Sequence, residues 1–325
     1  MHWEYKCDRT MNYCLACSGI LDGEELYHQK CLKDFWKEDE PVLSLDLDLA
    51  NIDELARENI SQRIIVTGVQ PKLSLGFIGK TREKRLTIVG ALNGKYILKP
   101  PFDLYPQMPE IEALSMLLTR EARVETVPFL LIRLQSGELA YLTKRIDRSS
   151  ANKKFAMEDA CQFTGRLTEH KYRGSYEQIA KGILTYSQNP LLEVVKFYQQ
   201  VILSFLIGNN DMHFKNFSLI AFKNGAYQLS PAYDMVAVNL LIKDDPEELA
   251  LNLNGKKRKL TREDFNVAMS KSSIPAKSIE NLWNRIESGI QGWPELIGRS
   301  FLTEDAKAEF LNIIQRNSER LGLIF

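Results

Sequence analysis

The spacing of hydrophobic residues changes near residue 148 and divides the chain into two parts. Before this point, apolar residues form short strand-like runs around one helical pattern at 109–121. The strand-like runs cover 72–78, 86–90, 95–99, 129–134 and 139–146. After it, apolar residues recur every three or four positions, as in helices. These helical patterns cover 175–186, 191–207, 261–270, 276–289 and 303–320.

Two further strand-like runs, 217–222 and 226–229, lie inside the helical part. They flank Asn224 and Gly225, a pair that favours a tight hairpin turn. The chain is therefore expected to have an α+β fold, with a β-rich N-terminal part and a mostly helical C-terminal part. Its expected divisions are a segment with cysteine and histidine at 1–40, a linker with a helical tendency at 41–59, and the two parts at 60–147 and 148–325.

Composition fits a large globular chain whose charges balance. Of its 325 residues, 44% are apolar, which is enough for two substantial cores. Its 42 basic and 42 acidic residues give zero formal charge, so DNA contact is expected only through a partner. No apolar stretch approaches the ~20 residues that span a bilayer, and residues 1–10 are too polar for a secretory signal. We expect a cytoplasmic protein without membrane contact.

Four residues near the N-terminus have the spacing of a zinc site. Cys14 and Cys17 are separated by two residues, and so are His28 and Cys31, with ten residues between the pairs. Two such ligand pairs on either side of a turn suit tetrahedral zinc. The alternative is a compact knuckle of buried thiols, since cysteine is among the most buried residue types.

An acid, an amide and a second acid have the spacing used for phosphoryl transfer. Asp211 is followed five positions later by Asn216, and Asp234 stands eighteen residues beyond that. Such a set can supply a base for the acceptor hydroxyl and two hard oxygen ligands for magnesium. The alternative is a loop rich in Asn and Asp that only caps its own backbone. His213 and Lys215 lie within the same loop.

A lysine and a glutamate upstream complete this pattern. Lys99 ends a strand-like run that Pro100 stops, and Glu112 lies near the start of the helical pattern. Lys99 can face nucleotide phosphates while Glu112 fixes its ammonium group. Taken alone, Lys99 could instead be a surface charge on an edge strand. Glu112 could instead be an acid that the helix dipole favours in the first turn.

A turn at 66–72 precedes the first strand of this part. Its backbone N–H groups and Lys72 can cover phosphates, although a plain hairpin turn would have the same features. Its candidate nucleotide-binding residues are Thr67, Gly68, Val69, Gln70 and Lys72.

Six segments resemble the HipA family of bacterial serine/threonine kinase toxins, in that family's order. They are 67–74 (TGVQPKLS), 97–100 (ILKP), 142–148 (LTKRIDR), 158–162 (EDACQ), 210–216 (NDMHFKN) and 229–234 (LSPAYD). The resemblance implies a bilobal, protein-kinase-like fold, with the lobes at 60–147 and 148–325, that binds ATP and magnesium between them.

The resemblance also implies a role for each candidate residue. Asp211 would be the catalytic base, Asn216 and Asp234 would hold magnesium, and Lys99 would contact the phosphates. His213 and Lys215 would approach the γ-phosphate. The hinge beside adenine would consist of Lys144, Arg145 and Ile146.

About sixty residues precede the predicted phosphate turn, and this short leader resembles the HipT type of a three-gene toxin–antitoxin system. Thr67 falls where that type carries a hydroxyl for self-phosphorylation. Implied partners are antitoxins of the HipB and HipS types, and an aminoacyl-tRNA synthetase, such as the glutamate or tryptophan enzyme, as protein substrate. The alternatives are a small-molecule or lipid kinase and a nucleotide-binding corepressor that acts with an antitoxin.

Overall fold

The computed structural model describes residues 12–37, 41–45, 71–79, 85–90, 94–149, 153–222, 225–243 and 245–325. Its first elements are two short antiparallel strands, β1 (Asn12–Tyr13) and β2 (Ile20–Leu21), and helix α1 (Gln29–Trp36). We refer to residues 12–37 as the N-terminal module. It contains the four residues of the predicted zinc site.

A six-stranded sheet forms the centre of the β-rich part. Its strands are β3 (Ser44–Leu45), β4 (Leu73–Ile78), β5 (Arg85–Ile88), β6 (Tyr96–Lys99), β7 (Phe129–Leu134) and β8 (Leu139–Lys144). They lie in the order β3-β7-β8-β6-β4-β5, and β3 runs parallel to β7 while the other neighbours are antiparallel. Lys99, at the end of the central strand β6, pairs in register with Tyr141 of β8.

Helix α2 (Met108–Glu121) packs on this sheet. Pro109 stands in its first turn, where a missing N–H breaks no helical hydrogen bond. The helix buries Ile111, Leu114 and Leu118, as its apolar pattern predicts. Glu112 is completely buried among them. The packing of α2 therefore carries a carboxylate into the interior.

The N-terminal module docks on the same sheet. The Tyr27 hydroxyl donates to the Leu131 carbonyl at 2.8 Å, and the Leu131 N–H donates to the Leu15 carbonyl at 3.0 Å. The Trp36 ring lies 5.2 Å from the ring of Tyr96, measured between centroids. The module is thus joined to β7 by hydrogen bonds and to β6 by aromatic packing.

Helices dominate after residue 159. They are α3 (Ala160–Phe163), α4 (Tyr176–Tyr186), α5 (Pro190–Leu206), α6 (Val238–Leu241), α7 (Arg262–Lys271), α8 (Ala276–Ile290), α9 (Trp293–Gly298) and α10 (Glu304–Arg320). Strand β9 (Ala156–Asp159), just before α3, and strands β10 (Ser218–Ala221) and β11 (Tyr227–Leu229), between α5 and α6, form a second, antiparallel sheet in the order β11-β10-β9.

Helix α5 is the core helix of this part and leads into the loop that carries Asp211. Its residues Val194, Phe197 and Val201 are fully buried. Asn317 of α10 completes its last turn, because its buried side-chain amide donates to the carbonyls of Phe205 at 2.8 Å and of Leu206 at 3.4 Å. The Phe205 carbonyl also accepts from the Gly208 N–H at 3.1 Å, so Asn317 adds a second support to the helix end and ties it to α10.

The elements predicted by periodicity lie within two residues of their expected bounds. Strands β1 and β2 and helix α1 had no predicted counterpart, and three further features were not predicted. The linker at 41–59 was expected to have a helical tendency, but its described portion contains strand β3, and the rest of it lies outside the described residues. Strand β9 extends the predicted hairpin into a sheet, and the short helices α3, α6 and α9 had no predicted counterpart. None of the helices in the described ranges combines the length and apolar character needed to span a bilayer.

Candidate active site

Three charged side chains from distant parts of the chain meet at the end of β6. The Lys99 ammonium contacts Glu112 Oε1 of α2, and its Nζ lies 2.6 Å from Asp234 Oδ1. Lys99 and Glu112 are buried, whereas the Asp234 side chain is 27% exposed. The structure thus brings together three residues that the sequence predicted to belong to one site.

Burial and charge act against each other in this cluster. Burial disfavours the Lys99 ammonium, but Asp234 and Glu112 outweigh it and raise the Lys99 pKa. Lys72 and Lys99 together lower the pKa of Asp234, although its partial burial acts in the opposite direction. Burial raises the pKa of Glu112, and Lys99 offsets this only in part. Lys99 and Asp234 are therefore the firmly charged members, and Glu112 depends on Lys99 for its charge.

Of the candidate nucleotide-binding residues in the predicted phosphate turn, Lys72 lies within the described residues. Its Nζ lies 3.3 Å from Asp234 Oδ2, and its side chain is 46% exposed. Lys72 is therefore placed beside the cluster while remaining accessible to solvent. The predicted nucleotide-binding residues Thr67, Gly68, Val69 and Gln70 lie outside the described residues.

Asp234 has a backbone conformation that is uncommon for a residue with a side chain. Its φ is 53°, in the left-handed region, where a non-glycine residue is held by its surroundings. The Tyr233 hydroxyl before it donates to the Lys215 carbonyl at 3.1 Å and lies 2.6 Å from the Ser218 hydroxyl. The Asn209 side chain donates to the Asp234 carbonyl at 3.5 Å. These contacts join the Asp234 segment to the loop that follows α5.

That loop holds Asp211 by hydrogen bonds within itself. The Asp211 N–H donates to Asn209 Oδ1 at 3.2 Å, and Asn216 Nδ2 donates to the Asp211 carbonyl at 3.0 Å. The Tyr172 hydroxyl donates to Asp211 Oδ1 at 2.5 Å. Asn209 therefore contacts both acidic segments, and Tyr172 contacts the carboxylate itself.

His213 lies behind Asp211 and is mostly buried. Its ring meets the Tyr172 ring edge to face at 4.8 Å between centroids. Burial lowers the His213 pKa more than Asp211 raises it, so the ring is neutral at neutral pH. Its Nδ1 is buried and has no hydrogen-bond partner among the described residues. An unpartnered polar atom of this kind is costly and marks a candidate ligand contact.

The remaining predicted site residues lie around this centre. Lys215 Nζ lies 3.1 Å from Asp159 Oδ2, and Asp159 also caps α3. Lys144 ends β8 with its Nζ 5.6 Å from the Tyr96 ring centroid. Ile146 is partly buried against the core.

The segment after Lys144 is fixed to its neighbours at two points. The Arg145 N–H donates to the Lys95 carbonyl at 2.8 Å. Its guanidinium forms a bidentate pair with Asp147, at 2.9 and 2.7 Å. The predicted hinge is therefore an ordered connection between β8 and the part of the chain that follows.

The oxygen groups at this site fit a hard divalent cation such as magnesium. The Asn216 nitrogen is used in its bond to the Asp211 carbonyl, so the amide oxygen lies on the opposite side of the carboxamide. Asp234 supplies an ionised, partly exposed carboxylate. Magnesium prefers one or two such protein oxygens together with phosphate oxygens.

The predicted zinc residues also come together. One ligand atom from each of Cys14, Cys17, His28 and Cys31 lies within 4.8 Å of all the others. This cluster belongs to the N-terminal module and is separate in sequence from the acidic site.

Comparison with known proteins adds the family. Residues 64–293 match the HipA-like C-terminal domain. The chain belongs to this family. The matched range covers Lys99, Glu112, Asp211 and Asp234, which therefore lie inside the HipA-like domain. The match is to the family as a whole and does not distinguish a short HipT type.

Relatives of this HipA-like chain carry kinase names. A protein of Haemophilus influenzae named "Putative kinase" is 32% identical over 192 residues, covering 55% of this chain and 54% of that protein. The serine/threonine-protein kinase toxin HipA of Shewanella oneidensis is 26% identical over 216 residues, covering 59% of this chain and 47% of that protein. The chain spans about half the length of these curated relatives.

Two solved structures share the fold. One is the Shewanella oneidensis MR-1 toxin–antitoxin complex of HipA, HipB and operator DNA, with a TM-score of 0.66 and 20% identity, covering 80% of this chain and 66% of that chain. The other is the Helicobacter pylori proinflammatory kinase CtkA, with a TM-score of 0.53 and 14% identity, covering 77% of this chain and 93% of that chain. The expected mixed fold of helices and sheets is confirmed, because it is similar to the folds of these two structures.

Tyr172 and Asn209 are site residues that the sequence did not indicate. Tyr172 lies in an irregular segment between α3 and α4, 39 residues before Asp211, where no periodic pattern marks it. Asn209 directly precedes the quoted 210–216 segment and could have been included as an amide next to the base loop.

Proposed function

We propose that this chain is an ATP-dependent protein kinase that transfers the γ-phosphoryl group to serine or threonine. The observation that carries the proposal is the meeting of Lys99, Glu112 and Asp234 at the end of β6. A buried lysine held by a helix glutamate and facing a metal-binding aspartate is the arrangement that kinase-type transfer requires. A purely structural role would not require an ionised Asp234 that remains partly exposed.

Asp211 would accept the proton of the acceptor hydroxyl or orient that hydroxyl. When ATP binds, the Lys99 ammonium would contact phosphate oxygens in place of part of its contact with Asp234. Glu112 would keep the Lys99 ammonium in position. Asn216 and Asp234 would hold magnesium, which when bound neutralises phosphate charge. Neutral His213 would offer its unpartnered Nδ1 toward the γ-phosphate region, with Lys215 as a nearby cation. Lys144, Arg145 and Ile146 would form the hinge beside adenine in a bilobal arrangement.

Regulation and partners form the finer part of the proposal, and they rest on the family resemblance. The chain would act as the toxin of a toxin–antitoxin module and phosphorylate an aminoacyl-tRNA synthetase, such as the glutamate or tryptophan enzyme. The complex of a fold relative with HipB and operator DNA supports an antitoxin partner through which DNA is reached indirectly. A HipS-type protein would be the second partner, and Thr67 the site of self-phosphorylation.

Transfer of label from γ-labelled ATP tests the enzymatic part directly. The purified chain, magnesium and a bacterial lysate should give a labelled polypeptide. Asp211→Asn and Asp234→Asn should abolish this labelling, while Asp305→Asn, a change at an exposed acid of α10, should leave it unchanged. Phosphopeptide mapping of the labelled chain then shows whether Thr67 is modified.

The identity of the labelled product distinguishes between the remaining candidate functions. Label found only in a small-molecule or lipid extract would indicate a small-molecule or lipid kinase instead of a protein kinase. Magnesium-nucleotide binding without any transfer, together with repression that persists in Asp211→Asn, would indicate a corepressor. Absence of magnesium-nucleotide binding by calorimetry would refute the whole proposal. Growth arrest on expression, abolished by Asp211→Asn, tests the toxin role separately.

A further inference from the structure

We infer that Cys14, Cys17, His28 and Cys31 bind one structural zinc ion that holds the N-terminal module on the sheet. Tetrahedral zinc with about 2.3 Å bonds to sulfur and about 2.0 Å bonds to nitrogen puts its ligand atoms roughly 3.5–3.8 Å apart. His28 Nδ1 lies 3.4 Å from Cys17 Sγ and 3.9 Å from Cys31 Sγ. These two separations are therefore close to those that the ion requires, and all four ligand atoms lie within 4.8 Å of one another.

The histidine is oriented for metal binding by its other nitrogen. His28 Nε2 lies 2.9 Å from the Ile20 carbonyl, which can only accept a hydrogen bond, so Nε2 carries the proton. The lone pair of Nδ1 then faces the three thiols. Zinc-binding histidines usually donate their second N–H to a carbonyl or carboxylate in this manner.

The backbone around the first cysteine pair is shaped to leave room for the ligands. The Ser18 N–H donates to the Cys14 carbonyl at 2.8 Å, and the Cys14 N–H donates to the Gly19 carbonyl at 2.9 Å, which forms a tight turn. A Cβ at Gly19 would lie 3.0 Å from His28 Cε1 and 3.3 Å from Cys17 Sγ. Glycine at this position therefore keeps the space beside both ligands open.

A knuckle of buried thiols explains these features less well. Cys14 is buried, but Cys17, His28 and Cys31 are only partly buried. Apolar burial alone would not bring three thiols and an oriented imidazole to one point. The cluster has the Cys₃His composition of structural zinc sites.

A basic residue stands where it can balance the charge of the bound ion. Three thiolates and one divalent zinc carry a net charge of about −1. Arg120, at the end of α2, lines the same cavity as Cys17 and Cys31. Its guanidinium lies 4.4 Å from the Phe129 ring centroid. The cation therefore comes from the helix that also carries Glu112.

The ion would stabilise elements that support the acidic site. It would tie Cys14 and Cys17 to α1, whose Trp36 packs against Tyr96 three residues before Lys99. The hydrogen bonds of Tyr27 and Leu131 connect the same module to β7. Loss of zinc would therefore loosen the N-terminal module first and the sheet next to it second.

Metal analysis of the purified chain tests the inference without any activity assay. The wild-type chain should contain about one zinc per molecule, and Cys161→Ala, which changes a buried cysteine outside the cluster, should keep it. Cys17→Ser and His28→Ala should lose the zinc, whereas His28→Cys, which retains a zinc-binding group, should keep it. Equal zinc in the wild type and Cys17→Ser, or a disulfide within the cluster, would overturn the inference.

A second measurement decides the case if the ligand variants fail to fold. Wild-type chain treated with a chelator and then loaded with cobalt should show the visible absorption of tetrahedral cobalt bound to thiolates. Hydrogen exchange should increase on zinc removal in the N-terminal module and β7, with little change in α7 and α8. A folded wild-type chain that binds no cobalt, or whose module exchanges equally slowly with and without metal, would refute a structural zinc. Neither result depends on kinase activity.

Discussion

Replacement of Lys99 by methionine tests the charge balance of the acidic site most sharply. Methionine keeps much of the buried volume but removes the cation between Glu112 and Asp234. Asp234 is partly exposed and retains Lys72 at 3.3 Å, so it can stay ionised. Glu112 is fully buried, Lys99 is its direct ion-pair partner, and the more distant Lys72 lowers its pKa less than Lys99 does. The loss in the free energy of unfolding should therefore come mainly from the unpaired Glu112 carboxylate.

The size of that cost follows from the pKa of a carboxyl group. Rather than stay charged in the interior, Glu112 should take up a proton, which at pH 7 costs about 1.36 × (7 − 4.3), or roughly 3.7 kcal/mol. This agrees with the ~3–5 kcal/mol usually lost when one partner of a buried ion pair is removed. At pH 5 the same expression gives only about 1 kcal/mol. In the variant the folded-state pKa of Glu112 lies above the unfolded value, so stability falls as pH rises from about 4 through the folded pKa.

The matched comparison is the double variant Lys99→Met with Glu112→Gln, which removes the titrating group and keeps its shape. Urea unfolding at pH 7 should show the double variant to be more stable than Lys99→Met by roughly 3.7 kcal/mol, and this difference should shrink to about 1 kcal/mol at pH 5. An equal difference at both pH values would refute the reasoning, because it would indicate lost packing instead of an unpaired carboxylate.

Three further substitutions test other parts of the structure. Tyr172→Phe removes the hydroxyl that occupies Asp211 Oδ1 at 2.5 Å, so the KM for the acceptor should fall while the KM for ATP stays unchanged in the label-transfer assay. Glu193→Ala leaves a buried backbone N–H of β11 without its 3.0 Å acceptor and should cost about 1–3 kcal/mol in urea unfolding. In Asp264, hydrogen bonds, of which that from Lys256 is the largest, outweigh burial and lower the pKa to about 2. A depressed carboxyl pKa stabilises the fold above pH ~4 and loses this effect as pH falls toward 2, so Asp264→Ala should reduce stability at pH 7 but little at pH 2.

Each of these predictions has its own control. For Tyr172, an unchanged acceptor KM with reduced turnover would mean that the hydroxyl supports Asp211 and does not obstruct it. Lys196→Ala removes the exposed partner of Glu193 and should cost at most ~1 kcal/mol, so an equal loss in both variants would contradict the role of the N–H. A penalty for Asp264→Ala that is the same at pH 7 and pH 2 would contradict the assigned pKa.

Long, regular segments could be predicted from the sequence because their own residues determine them. Helix α2 has a proline in its first turn and a continuous apolar face, so its bounds of Met108–Glu121 were expected almost to the residue. The grouping of Lys99, Glu112 and Asp234 also agrees with what their order along the chain predicted. Their individual catalytic roles remain predictions.

Short elements that depend on distant partners could not be predicted. Strand β9 (Ala156–Asp159) has no apolar run, and its extended form is stabilised by pairing with Ser218–Ala221. Strand β3 has only two residues and exists because it pairs with β7. The contact of Tyr172 with Asp211 joins an irregular segment to a loop, and no local spacing encodes such a meeting. In each case the deciding interaction is tertiary.

Asn317 also has a consequence for how inactive variants arise. Its side chain completes the last turn of α5, two residues before Gly208 begins the loop that carries Asp211. On the proposed toxin role, a genetic selection for cells that survive expression of this chain should therefore recover changes at Asn317 as well as at the acidic residues. Such survivors would produce the protein in normal amount and yet lack its effect, although the altered codon lies more than a hundred positions downstream of Asp211.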